Sequence, residues 1–405
     1  MPALRLAVGD RRLPRGVTFV VATASLLLVF AAAGTPIPHF NDYLAGGLGQ
    51  SGIATAAVVY LAAAALSLLV LGRLSDHVGR RPIAIAAMTL SIVGTLVLTT
   101  VETEPQLLVG RILQGLGCGL ATGSLGALVV DTAPERPAWL PALITGTVPM
   151  LGVPLGALAS GALVDLAPWR DVLGYALAAA LLVVCAVLVL LGRETRSRVT
   201  GATRSLVPQL VIPRGSGMLV LAVGAAYGAT WCIGSFYQAF GPQVAQESLG
   251  SGSAVVAAAV FASAIVPGVL GGPIAGRGRP QVPLVVGILV FVAAIAGVVV
   301  GVRLGSVPVY FVAAGIAGLS GGVIATAGNR LLLPTAGPEQ RAGLLSTIFL
   351  ICYASAAIPG LAASAVAEAF ALDDIAVGYG VLVALIGAVS LGTLALLARR
   401  APAAS

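Results

Sequence analysis

Apolar residues fill this sequence in long runs, and polar residues come in short clusters between them. A helix needs about 20 apolar residues to cross the hydrocarbon core of a bilayer. Read at that length, the runs predict twelve helices, over 17–39, 51–71, 82–101, 106–130, 139–164, 169–191, 216–238, 253–275, 282–302, 306–331, 341–366 and 375–397. The runs show no two-residue alternation, so helices are predicted and a barrel of short amphipathic strands is not. One hydrophilic stretch, 192–215, is far longer than the others and carries Arg193, Arg196, Arg198, Arg204 and Arg214. It divides the chain into a six-helix bundle over 17–191 and a second over 216–398, flanked by segments 1–16 and 399–405.

Composition fits the pattern. The chain is 58% hydrophobic and 9% charged, with a mean hydropathy of +1.04. A soluble domain carries roughly 25% charged residues, so the bilayer is the expected solvent and the expected class is all-α integral membrane. All 22 basic residues are arginine. With the N-terminus inside, every one except Arg111, Arg170 and Arg303 falls in an inside segment. The positive-inside rule then predicts a multi-pass protein with both termini cytoplasmic. The same confinement to short loops explains the pI near 9.7 without nucleic acid as a partner. Arg11, Arg12 and Arg15 before the first run resemble the start of a secretory signal. With eleven further runs behind it, the first run reads as a helix that stays in the membrane. The arginine-only, alanine- and glycine-rich usage points to a bacterium with a GC-rich genome, and so to its plasma membrane. Cys118, Cys185, Cys232 and Cys352 lie in separate apolar runs, at neither metal-site nor redox spacing, and read as packing residues.

Candidate chemistry concentrates in a few places. The loop Gly72-Arg73-Leu74-Ser75-Asp76-His77-Val78-Gly79-Arg80-Arg81-Pro82 carries an aspartate and three arginines where membrane crossing alone needs a plain turn. Arg111 sits inside the fourth run with Gln114 one turn on. A charge at that depth is costly unless it faces a partner or a cavity, so it is a functional candidate by default. The first run ends Gly34-Thr35-Pro36-Ile37-Pro38-His39-Phe40-Asn41-Asp42, with His39 and Asp42 one turn apart. Topology suggests that Asp42 approaches Arg111 as a proton-sensitive pair. Tyr60, Gln114, Tyr227, Trp231, Gln238, Asn329 and Tyr353 are the aromatic or amide groups inside runs that could line a substrate cavity. Such a cavity is short of fixed charge and of hydrogen-bonding groups. It suits a lipophilic or cationic small molecule better than a sugar. No nucleotide-binding loop, metal cluster or nucleophile–base constellation is found, so no enzyme, metal or organic cofactor is expected.

The halves echo each other at an offset of about 200 residues, as parallel six-helix repeats do. The stretch 72–82 faces Gly272-Pro273-Ile274-Ala275-Gly276 and Gly278-Arg279-Pro280, where the aspartate is missing. Thr132-Ala133-Pro134-Glu135-Arg136 faces 335–341.

The 72–82 stretch resembles the G-x-L-a-D-r-x-G-r-K/R loop between helices 2 and 3 of the major facilitator superfamily. Arg111, Gln114, Gly115 and Gly117 resemble its R-x-x-q-G-x-g motif of helix 4, common in proton-coupled members. Gly152, Pro154 and Gly156 resemble the glycine/proline-rich helix 5 motif of exporters, with Val153 splitting the usual Gly-Pro pair and the closing Gly-Gly absent. The resemblance implies two pseudo-symmetric six-helix bundles that rock around a midplane site, in a protein expected to work as a monomer. It implies a latch of Gly72, Asp76, Gly79, Arg80 and Arg81 that clasps the start of helix 11 and closes the cytoplasmic side. It also implies a proton as coupling ion at Arg111, to which the end of the first run adds Asp42 and His39 as candidates. The drug:proton antiporters are the group most resembled. A proton symporter or uniporter for a sugar or amino acid is the alternative that the altered helix 5 motif leaves open.

Overall fold

The computed structural model describes residues 12–337 and 339–400. Segment 1–11 and tail residues 401–405, with the expectations placed on them, lie outside the described residues. Among the described residues all regular structure is helical, and twelve helices are long and apolar enough to span a membrane. They are α1 Arg15–Ala45, α2 Gln50–Leu71, α3 Arg80–Thr100, α4 Glu104–Thr132, α5 Leu140–Leu166, α6 Arg170–Leu191, α7 Gly217–Ser248, α8 Ala254–Ala275, α9 Gln281–Leu304, α10 Val307–Thr335, α11 Arg341–Val366 and α12 Leu372–Arg400.

Three helices depart from straight runs, each near proline. The first helix continues past residue 39: Pro36 and Pro38 tighten Ile37–His39 into a 3-10 turn, and an α-turn over Phe40–Ala45 follows. The seventh runs ten residues past the expected 238, through Pro242 and a π turn at Val244–Ser248. The eighth breaks after Ser263 into a 3-10 segment Val266–Leu270 around Pro267, then resumes over Gly271–Ala275. Hydropathy marks the apolar stretch in each case but cannot see how its backbone bends.

Within the first half, α4 packs along α2, α3 and α1, and α5 crosses α1. That crossing is set by small residues: a Cβ on Gly156 would run into the Ala31 backbone, and one on Gly152 into the Phe30 side chain. In lipid, close backbone approach replaces the hydrophobic drive between helices. Gly152, Pro154 and Gly156 are all buried. The helix 5 motif is therefore a packing seam between α1 and α5.

The halves meet chiefly through α2 against α11 and α5 against α8. This seam is uneven. No residue of α5 from Leu140 to Leu151 is fully buried, whereas Gly152, Val153, Pro154, Gly156, Ala157, Ser160 and Gly161 all are. The bundle is thus closed at the end carrying Leu166. It is open toward the end carrying the 72–82 loop, which we call the basic end.

Candidate functional site

At the basic end, the 72–82 loop is ordered by its own half. Gly79 adopts φ 113°, a conformation that residues with a Cβ rarely take, and so lets the chain turn directly into α3. Gly72 caps α2 against the backbone of Gly123 in α4. Arg80 pairs with Asp76 at 2.7 Å and Asp131 of α4 at 3.3 Å, and donates to Ser75 Oγ at 2.8 Å. Glu194, from the segment after α6, accepts the first α3 amides, Arg80 N at 2.8 Å and Arg81 N at 3.0 Å. A carboxylate at a helix N-terminus is stabilising by about 0.3–1 kcal/mol. Arg81 donates to Gly192 O at 3.0 Å.

The expected clasp on α11 is not formed in this structure. The first turns of α11 meet the central segment instead: Val211 N donates to Gly343 O at 3.3 Å and to Thr347 Oγ1 at 3.0 Å. With the seam open at this end, the charges of the 72–82 loop are taken up by Asp131 and the Glu194 segment.

In the interior, Arg111 is fully buried. Its guanidinium donates to Ala33 O at 2.7 Å, Gln114 Oε1 at 3.0 Å and Ala56 O at 3.4 Å, and lies 4.3 Å from the centroid of the Tyr60 ring. One nitrogen, Nη2, has no hydrogen-bond partner. Gln114 Nε2 donates to Ala32 O at 2.8 Å and Thr95 Oγ1 at 3.3 Å. Gln114 is thereby committed to tying α4 to α1 and α3 and does not face a cavity. Among the described residues the cation is held by carbonyl dipoles and an aromatic face, with no carboxylate in ion-pair contact.

The expected Asp42–Arg111 pair is not formed either. The short helix after the Pro36–Pro38 turn carries Asp42 outward, where its side chain is 46% exposed. His39, 2% exposed, lies between the two regions. It sits 3.7 Å from Asp42 and 3.5 Å from Ser160 Oγ, and stacks on Tyr175 at 5.1 Å. Asp171 joins it: one potential ligand atom each from His39, Asp42 and Asp171 lie within 4.8 Å of one another. Beneath this cluster the Tyr43 and Tyr175 hydroxyls share a 2.6 Å hydrogen bond, close enough to feel both Arg111 and Asp42.

The expected cavity residues separate into groups. Tyr60 and Tyr353 sit on α2 and α11, which pack across the seam, and Tyr353 meets Trp231 edge-on at 4.9 Å. These three rings gather at the interface of the halves. Tyr227 is committed elsewhere: its hydroxyl donates to Ala325 O at 2.7 Å and Asn329 Oδ1 at 3.0 Å, binding α7 to α10. Gln238 is buried in α7. Asn329 borders a cavity of about 460 Å³ near the basic end, with Thr326, Arg330, Leu333 and Pro334.

The closed end shows a contact that the sequence reading missed. Asp165, at the end of α5, accepts Ser253 Oγ at 2.6 Å, Ala254 N at 2.9 Å and Val255 N at 3.1 Å, capping α8 from the opposite half. Asn41 Nδ2 donates to Pro242 O at 2.9 Å, and Ser51 Oγ to Glu368 Oε1 at 2.9 Å. Among the described residues, these are the hydrogen bonds that join the helices of one half, directly or through the Ser253 cap, to those of the other. The signal for Asp165 was its position at the end of a span. The partner that gives it meaning lies 88 residues away.

A model of the family described as Major Facilitator Superfamily matches residues 18–361. The chain belongs to this superfamily. Among curated relatives, a "Multidrug resistance protein MdtL" of Klebsiella pneumoniae is 30% identical over 203 residues, 47% of this chain and 48% of that protein. The chain thus spans about half the length of the curated relatives it matches. Among solved structures, a bacterial homologue of the human lysosomal transporter Spinster, in an inward-facing and occupied conformation, aligns with a TM-score of 0.72 at 17% identity, covering 96% of this chain and 99% of the other. A POT family transporter in complex with 5-aminolevulinic acid aligns at 0.73 and 15% identity, covering 93% and 95%. At these identities the structural likeness establishes the superfamily fold: twelve membrane helices in two six-helix bundles.

Proposed function

We propose that this chain is a secondary transporter, not an enzyme, that exports small lipophilic or cationic compounds in exchange for protons. The carrying observation is the buried Arg111, gripped by one carbonyl each of α1 and α2 and by the Tyr60 face, below a half-exposed His39–Asp42–Asp171 cluster at the closed end. A fixed charge inside an apolar bundle serves a transport cycle better than it serves stability, since an apolar side chain would pack there at lower cost. The basic end faces the cytoplasm of a bacterium, by the arginine distribution, and both termini lie on that side. The structure then corresponds to a state open to the cytoplasm and closed outside.

Protons enter at the outer cluster. His39 lies there against Asp42, Asp171, Tyr43 and Tyr175, and the hydrogen-bonded tyrosine pair links this cluster toward Arg111. Each proton moving inward supplies about 2.3 kcal/mol per 100 mV, plus any pH gradient. Substrate rests against Tyr60, Trp231 and Tyr353, whose flat π faces accept lipophilic rings and cations. In the opposite state the Asp165 cap breaks and the 72–82 loop engages α11. The "multidrug resistance" name of the relatives supports export, and the protein works as a monomer.

The test is a reconstituted liposome under a pH gradient. Lipophilic cations, sugars and amino acids are added one at a time while luminal pH is followed. Dissipation by a lipophilic cation moving against the protons is expected. Dissipation by a sugar or amino acid moving with them would instead make the chain a symporting importer.

A further inference from the structure

A second cavity, of about 340 Å³, lies at the basic end between α3, α6 and the segment after α6. Its floor is apolar, built from Val78, Pro82, Ile85 and Leu190; its rim is cationic, built from Arg81, Arg196 and Arg198. The rim is held in place by backbone contacts. Val199 N donates to His77 O at 2.9 Å, folding the segment over the 75–78 turn. Arg81 is anchored on Gly192 O. The one acid at the rim, Glu194, spends its carboxylate on the backbone amides of Arg80, Arg81, Thr195 and Arg196. It caps a helix and pairs with no guanidinium at the rim. Among the described residues, the Arg196 and Arg198 side chains form no hydrogen bond or ion pair, and both are exposed.

The cavity opens where the membrane-spanning helix α3 begins and α6 ends. Leu190, 54% exposed, continues the apolar floor along the lipid-facing side. A ligand fitting these surfaces carries a phosphate for the arginines and a hydrocarbon chain for Ile85 and Leu190. A free anion would satisfy only the rim, and a neutral lipid only the floor.

We propose that this groove is a binding site for one anionic phospholipid, with its phosphodiester on Arg196 and Arg198 and an acyl chain against Ile85 and Leu190. Basic pockets between membrane helices on the cytoplasmic side recognise acidic headgroups in this way. The site is distinct from the transport path. Through Glu194 and Arg81, its occupancy fastens the segment that holds the 72–82 loop in its present position.

The experiment uses the full chain in detergent, mixed with equimolar phosphatidylglycerol and phosphatidylcholine, with bound lipid counted by native mass spectrometry. Wild type is expected to retain one phosphatidylglycerol in preference to phosphatidylcholine. Arg196→Gln/Arg198→Gln should lower that retention about tenfold. Arg277→Gln/Arg279→Gln, which removes the same charge from the basic end of the other half, should leave it unchanged. Equal retention by wild type and both variants would overturn the proposal, as would equal loss in both variants. Displacement of the lipid by millimolar inorganic phosphate would overturn it as well, by showing a free-anion site. The readout depends on neither transport nor orientation, so its failure is separable from failure of the antiport reading.

Discussion

The two halves fasten corresponding loops at the basic end with opposite charge logic. In the first half the cation is on the loop and the anion on the helix: Arg80 reaches Asp131 in the last turn of α4. In the second half the loop over 276–280 has no carboxylate, and the cation is on the helix: Arg330, in the last turn of α10, donates to Ala275 O at 2.6 Å and Gly278 O at 2.8 Å. The weaker second copy of the loop is thus held through its backbone. The interiors differ in the same direction. α4 carries Arg111 at bilayer depth, whereas α10 has no charged residue from Val307 to Asn329. In the proposed mechanism the first half holds the groups that answer a proton, and the second places Trp231 and Tyr353 against the substrate.

The largest expected effect tests how tightly the first half is built. Gly156 of α5 meets the backbone of Ala31, while Gly360 of α11 meets the Val58 and Ser235 side chains. Gly156→Ala should cost about 3 kcal/mol through overpacking against an unyielding backbone, and Gly360→Ala under about 1.5 kcal/mol. Thermal unfolding in detergent measures both, and equal losses would erase the contrast. Next comes the outer cap. Asp165→Ala removes three hydrogen bonds across the seam and should move the balance toward the outward-open state about tenfold, as charge-assisted bonds of 1.5–3 kcal/mol allow. Spin labels on the loops after α5 and after α7 would report the added separation; unchanged distances would deny Asp165 that role. Asp76→Asn should slow turnover two- to fivefold with selectivity unchanged, the scale of a partly exposed ion pair. Arg330→Gln should change turnover less than Asp76→Asn does, because water replaces the guanidinium at the exposed carbonyls of Arg277 and Gly278. A larger effect from Arg330→Gln would reverse the proposed asymmetry.

Much of this fold is legible in the sequence because a bilayer leaves a chain few choices. Run length and arginine placement locate all twelve spans; the largest end shifts are those of α1 and α7, beyond their prolines, and Pro267 breaks α8 internally. The site is less legible, because its meaning lies in long-range partners. Arg111 stands out by its charge, yet two of its three hydrogen-bond partners are main-chain carbonyls, which every residue possesses. Asp42 stood one turn from His39, but the Pro36–Pro38 turn carried it to the surface and away from Arg111. Gln114 and Tyr227 had the chemistry of cavity residues and are committed to helix–helix bonds. Asp165 and Glu194 look like ordinary interfacial carboxylates until α8 and α3 bring their N-termini to them.

The central claim is that proton coupling resides in the first half, at Arg111. It is tested most directly by Arg111→Ala in liposomes, with proton and substrate fluxes recorded together under an imposed pH gradient. The account predicts a folded, inserted protein whose uphill transport is lost and whose substrate movement no longer collapses the gradient. Uphill transport by Arg111→Ala at the wild-type rate, with protons still exchanged, would contradict it.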